Sequence, residues 1–443
     1  MNVANSPLSA RKNKICLVTS VRNEGVHLAE WIAYHLLIGV THFLVFSNDC
    51  DDGTDELLGK FHQAGIITHV PQEILPSEKP QVKSFQRAWN EFLPAIAPDY
   101  VYVADPDEFL NLKCFDSIDQ LLNYYDYPEA LAIQWRHFGS SGRFFREPRL
   151  TVERFVYASL SDNWHNRQIK TISRYEPTAV KALAAHRPVF KKPEAKRRYI
   201  LPGICRGGVT LPQEVVQGAN AKRMPGHFPI MQSIAQVNHY ATRSIEEFNV
   251  KKNRGNGVLV NTMKAALHFR DDYFMEHDLN DVVDTSLLRR LSELVIEYDN
   301  LVERLQLDTL ITRMESLFAD KVIMTPEDRI ERENYILIPE PPGTQADGGF
   351  VFSRETLPAR IAEDAQAFFS GELLIADGCS QLEELQLLTA TGRCLPAILE
   401  KHPGRILFRF ARSDIDETTL WITARFNDDS QKTLARLYRN PTP

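Results

Sequence analysis

The stretch "VYVADPDEFLNL" (101–112) ends a strand-forming run in two aspartates one position apart, Asp105 and Asp107, followed by Glu108. Two carboxylates held close repel, and each raises the pKa of the other. Burying them is costly unless something pairs with them. A divalent cation removes that cost, and oxygen ligands select Mg2+ or Mn2+ over zinc. Such an ion keeps positions for a substrate's phosphates and neutralises charge on a diphosphate leaving group. The plain alternative is a solvated turn that caps the helix-forming "DSIDQLLNYY" (116–125). Which reading holds depends on where the surrounding elements put the triplet.

Those elements alternate. "KICLVTSV" (14–21) is a short β-rich run, and "EGVHLAEWIAYHLLIG" (24–39) carries Leu28, Trp31, Ile32, His35 and Leu36 at helical spacing. "THFLVFSN" (41–48) predicts a strand and "GTDELLGKFHQAG" (53–65) a helix. "IITHVP" (66–71) predicts a strand, "QVKSFQRAWNEFLPAIA" (81–97) a helix and "YVYVAD" (100–105) a fourth strand. The pattern predicts an α/β fold, a parallel sheet with helices on both faces. Ligands of such sheets sit beyond the carboxyl ends of the strands. Three polar clusters fall at those ends: "RNE" (22–24), "NDCDDGTD" (48–55) and "DPDE" (105–108). The two aspartates therefore belong on a ligand-binding rim. Phosphatases of the haloacid-dehalogenase type also use Asp-x-Asp, but after the first strand and continuing into Thr or Val. Here the triplet follows the fourth strand and continues Glu-Phe-Leu, which argues against that chemistry.

Taken together, "VTSVRNEGVHLAEWIAYHLLIGVTHFLVFSNDCDDGTDEL" (18–57) and "VADPDEFLNL" (103–112) resemble glycosyltransferase family 2, close to its family 92-like branch, with the GT-A fold. The matching region runs from about residue 14 to about residue 255. The resemblance implies a nucleotide-sugar donor, a UDP-sugar first among them, with Mn2+ or Mg2+ at the Asp-x-Asp. It places Arg22, Asn23 and Glu24 in the nucleotide pocket and Asn48, Asp49 and Asp52 around the base or ribose. It puts Asp105 near the ribose or the ion and makes Asp107 the direct metal ligand, with Glu108 a structural partner. Lys170, Arg174 and His186 resemble further positions near donor or acceptor. The chain departs from the family at Ser47, where an Asp often reads the base, and this leaves the base open. Pro106 is also unusual, although it stiffens the turn.

The same resemblance makes His239, in "VNHYATRSIEEFNVKKNRG" (237–255), the third metal ligand. An imidazole at a largely oxygen site suits Mn2+ somewhat better than Mg2+. Arg243, Lys251, Lys252 and Arg254 follow it and suit a departing diphosphate. The bland reading of each lysine is a solvated helix face. Trp135, His137 and Phe138 in "IQWRHFGSSG" (133–142) make either a stacking wall for an acceptor sugar or an aromatic core strand. An inverting transfer needs a general base. Among Glu147, Glu153 and Asp162, the choice falls on Asp162, because "SDNWHN" (161–166) is a polar loop beside an aromatic.

The 443 residues divide into a GT-A-like domain (10–260), a helical extension (261–337), a Pro/Gly-rich linker (338–349) and a small β-rich C-terminal domain (350–443). A net charge of −7 argues against a large nucleic-acid surface. The six cysteines form no C-x-x-C pair, which speaks against a zinc knuckle and for a reducing compartment. "MNVANSPLSARKNK" (1–14) lacks an apolar signal core, and no run approaches ~18 apolar residues. The expectation is a cytoplasmic enzyme, with peripheral contact at the inner face of a membrane allowed, that glycosylates a glycan or lipid-linked acceptor. A sugar nucleotidyltransferase would need a Gly-rich, Lys-Arg signature that "TSVRNEGVHL" (19–28) lacks. A degenerate binding protein is favoured by Ser47 and opposed by intact Asp105, Asp107 and His239.

Overall fold

Strand β1 (Ile15–Val21) is buried along both faces, and its side chains alternate between two cores. Ile15 and Leu17 enter one, Cys16 and Val18 the other. The same alternation runs through β2 (His42–Ser47) and β4 (Tyr100–Val103): Phe43, Val45, Tyr100 and Tyr102 join the first core, and Leu44, Phe46, Val101 and Val103 the second. A period of two with apolar residues on both faces is what a covered, parallel strand requires. The computed structural model describes residues 13–143, 146, 147, 149–191, 198–212, 215, 216, 222–254 and 271–322, and the backbone of strands between 335 and 439.

With β3 (Thr68–Pro71), these strands stand in the order β3–β2–β1–β4, all parallel. Helices α1 (Gly25–Leu37) and α2 (Thr54–Gln63) connect the first three, and α3 (Pro80–Arg87) leads toward β4. The α/β class expected from the sequence is thus present. Beyond β4 the sheet becomes mixed. Four more strands follow in the chain: β5 (Glu108–Asn111), β6 (Ala130–His137), β7 (Tyr157–Ala158) and β8 (Ile169–Arg174). β8 lies antiparallel between β4 and β6.

The helix expected over 81–97 is interrupted. Leu93 N–H bonds to Ala88 O, five residues back, across Ala88–Phe92, and a short helix Leu93–Ile96 follows. Pro94 explains this. It has no N–H, and its ring would clash with the carbonyl four residues back, so the ladder widens before it.

Helices Leu291–Leu305 and Asp308–Asp320 pack into the first core: Leu294, Leu301, Leu307, Leu310 and Met314 share it with Trp31 and Ile32. Gly53 opens α2 at φ +90, and a Cβ there would lie 2.6 Å from Met314 Cγ. The strands after residue 335 form antiparallel sheets of five and four strands. The first two residues expected in a linker, Ile338 and Pro339, belong to the strand Tyr335–Pro339, and 340–349 lie outside the described residues. No helix among the described residues is long and apolar enough to cross a membrane.

Candidate active site

After β4 the chain turns through Asp105, Pro106 and Asp107 and re-enters sheet as β5. β5 pairs antiparallel with the strand Gln236–His239, which runs parallel to the end of β6. The register sets His239 opposite both Glu108 and His137. Residues more than 100 positions apart are thus brought side by side by backbone pairing.

Helix α1 holds the acidic turn from behind. Trp31 Nε1 donates to Glu108 O at 2.8 Å, and Tyr34 Oη donates to Leu110 O at 2.7 Å. His35 Nδ1 lies 2.8 Å from Trp31 O, and burial pushes its pKa down to about 4, so the ring stays neutral. Buried Trp and Tyr heads need a polar partner, and the open edge of β5 supplies it.

Three cations meet the turn. Lys170 Nζ, fully buried on β8, lies 2.8 Å from Asp105 Oδ2 and 2.9 Å from Glu108 Oε2. Gln81 Nε2 also donates to Asp105 Oδ1 at 3.0 Å. Arg243 donates to Glu24 Oε2 and to Pro106 O, both at 3.1 Å. Lys251, on the helix Ile245–Arg254, donates to Asp107 Oδ2 at 2.5 Å and to Ala241 O at 3.0 Å. His239 Nε2 lies 3.7 Å from the same Asp107 oxygen.

The adjacent carboxyls respond in opposite directions. Burial pushes Asp107 up, but Lys251 and then His239 outweigh it and hold it well below the usual range. Burial dominates at Glu108, with Asp105 and Asp107 adding to it against Lys170, and the pKa rises well above the usual range. Burial opposes the Lys170 charge, but Asp105 and Glu108 outweigh it and keep it cationic.

Asp107, Glu108 and His239 are all buried, and one ligand atom from each lies within 4.8 Å of the others. Glu108 Oε1 has no hydrogen-bond partner among the described residues. A buried carboxyl oxygen without a partner, beside a second carboxylate and an imidazole, fits a divalent cation of the Mn2+ kind. Asp105, expected as a ligand, instead lies beside Lys170 and Gln81 at the edge of this group.

The remaining expected residues divide. Asn23 sits at φ 51 and exchanges hydrogen bonds with Asp51 across the rim, at 2.7 and 2.9 Å. Arg22 is half-buried beside it, whereas Glu24 is buried against Arg243. Asn48 donates to Asp49 at 2.9 Å, and Asp49 is exposed. Asp52 accepts from Gly25 N–H at 3.0 Å and from Thr54 N–H at 2.9 Å, which joins the starts of α1 and α2. Asp162 is exposed on the turn before Trp164.

An aromatic cluster adjoins the metal-competent group. The His239 ring centroid lies 4.1 Å from that of Trp135 and 4.9 Å from that of His137. His137 in turn lies 5.5 Å from His165 and 5.4 Å from His277. His137 is fully buried with neither ring nitrogen partnered among the described residues, and burial, then His239, holds it neutral. His165 and His277 did not stand out in the sequence. Only the folded chain gathers them.

Residues 14–189 match the model of glycosyltransferase family 92. That stretch is similar to the family, and the likeness is confined to this part of the chain. A glycosyltransferase family 92 protein of Oryza sativa subsp. japonica is 31% identical over 136 residues, which cover 30% of this chain and 23% of that one. A second, from Ricinus communis, is 26% identical over 136 residues, covering 30% and 24%. The chain spans about a quarter of the length of these curated relatives. Among solved structures, S. aureus TarS aligns over 95% of this chain and 77% of its own, at 11% identity and a TM-score of 0.27. That likeness is too slight to carry an argument.

Proposed function

We propose that the protein transfers a sugar from a nucleotide-sugar donor to a glycan or lipid-linked acceptor, in a metal-dependent, inverting reaction. The observation that carries this is the register that gathers Asp107, Glu108 and His239 at the carboxyl end of β4, the first two within the stretch that is similar to family 92. These three residues would hold Mn2+ or Mg2+, with Asp105 and Lys170 beside them. A divalent cation there supplies Lewis-acid stabilisation of a diphosphate leaving group. Arg22 and Asn23, and Asn48 and Asp49, lie on the same rim after β1 and β2, where the nucleoside of a UDP-sugar would rest. Trp135, His137 and His165 cluster beside His239, and on this reading that side would face the acceptor. Asp162 on the adjoining turn is the general base of this reading.

The test is a thermal-shift screen of UDP-, GDP- and CMP-sugars with and without Mn2+, on the wild type and on Asp107→Ala. Metal-dependent stabilisation by one donor, lost in the variant, is expected. No stabilisation of the wild type by any nucleotide sugar would sink the reading.

A further inference from the structure

Asp107 already has a cation on the oxygen that a metal would use. Lys251 Nζ is 2.5 Å from Oδ2, and His239 Nε2 is 3.7 Å from that same atom. A divalent ion held by Asp107 and His239 would crowd the ammonium, and two positive centres at such a distance repel strongly in a buried site. The lysine contact and metal ligation are therefore competing arrangements of one carboxylate.

The two lysines of the site differ in their freedom to yield. Lys170 comes from a central strand, has a fully buried side chain and bridges Asp105 and Glu108, so it has no other place to go. The Lys251 side chain is 12% exposed, on a helix at the rim, and its ammonium ends a flexible four-carbon stem. The base of that helix is anchored: Glu247 accepts from Arg154 Nη1 at 2.7 Å and Nη2 at 2.8 Å. The ammonium also donates to Ala241 O at 3.0 Å, so leaving Asp107 would be a turn of the stem while its helix stays.

We infer that Lys251 is a tethered counter-ion for Asp107, holding the carboxylate in place until a divalent cation displaces the ammonium toward the donor's diphosphate. This rests on the metal-dependent reading above. It assigns Lys251 a place in metal loading, where a purely diphosphate-binding lysine would have none. Removing the competing charge must then tighten the metal, by the reciprocity that governs any two ligands of one site.

The experiment measures Mn2+ alone, by electron paramagnetic resonance, on wild type, Lys251→Met and Lys251→Arg. Lys251→Met should bind Mn2+ about 10-fold tighter, and Lys251→Arg should stay near the wild type. A second measurement needs no variant: acetylation of Lys251 in the wild type, read by mass spectrometry, should rise when Mn2+ is added, while that of Lys170 stays low. Mn2+ affinity unchanged or weakened in Lys251→Met, or Lys251 acetylation indifferent to Mn2+, overturns the inference. Tighter Mn2+ binding without any nucleotide-sugar stabilisation upholds the inference and removes the transferase reading. Nucleotide-sugar stabilisation with no Mn2+ bound to any form overturns the inference and keeps sugar transfer without its metal dependence.

Discussion

Asp107 and Glu108 are neighbours in sequence, both buried, and yet displaced in opposite directions from the ordinary carboxylate range. Burial penalises both. The difference is that Asp107 faces both Lys251 and His239, while Glu108 shares Lys170 with Asp105. A metal ligand must be deprotonated, so binding to Glu108 has to release its proton. The sign follows: a raised pKa means the proton is held to higher pH, and Mn2+ affinity falls as pH is lowered. Kd values for Mn2+ measured from pH 6 to 9 should drop with rising pH. Glu108→Gln should bind Mn2+ more weakly and flatten that dependence, and an unchanged slope would count against Glu108 as a ligand. At this scale the sequence pointed to Asp105, Asp107 and His239 through spacing and resemblance, and the fold sets Asp107 and His239 beside Glu108 with Asp105 at the edge. The place of Glu108 opposite His239 was not legible, because it depends on a strand register that no local pattern encodes.

At the scale of elements, the strands and helices up to β4 were legible because their apolar residues repeat at two or at three to four. Pro94 is visible in the sequence, but the apolar face over 81–97 runs on past it and gives no sign of the widened turn before it. The helix Ile245–Arg254 was legible too, although its anchoring was not. Glu247 lies between Arg154, Arg146 at 3.1 Å and His27 at 3.6 Å, brought from four separate segments. Burial pushes Glu247 up, but Arg154 foremost, then Arg146 and His27, outweigh it and hold it well below the ordinary value. A depressed carboxylate stabilises the fold above its unfolded pKa, and that stability is lost as pH falls through the folded value. Unfolding monitored from pH 7 to pH 3 should show the loss beginning near the ordinary Glu pKa of about 4.3. Glu247→Gln leaves Arg154 buried with an uncompensated charge and should cost about 3–5 kcal/mol at pH 7. It should also reduce the acid sensitivity. A variant as acid-sensitive as the wild type would place that sensitivity elsewhere.

Across the whole molecule, what matters is which elements complete the core that backs the site. Trp31 reaches from α1 to the Glu108 carbonyl, and the opposite face of α1 is covered by the helices Leu291–Leu305 and Asp308–Asp320. Their leucines stood out in the sequence as a helical extension to the α/β part. Helical spacing cannot say which surface an amphipathic face will cover. Leu294, Leu301, Leu307, Leu310 and Met314 are buried there, and each is worth about 1.5–3 kcal/mol on burial. Arg146 adds a link by pairing with Glu315. Loss of five such side chains is on the order of 10 kcal/mol, comparable to the stability of a typical domain. A chain ending after Arg290 should therefore show no cooperative unfolding transition and no nucleotide-dependent shift. A chain ending after Val322 retains both cores and every residue of the Asp107 group, and it should unfold cooperatively and keep the Mn2+- and donor-dependent stabilisation of the full protein. Scanning calorimetry of the two truncations beside the full chain decides it. Loss of the donor-dependent shift in the longer truncation would mean that the strands after residue 335 take part in donor binding.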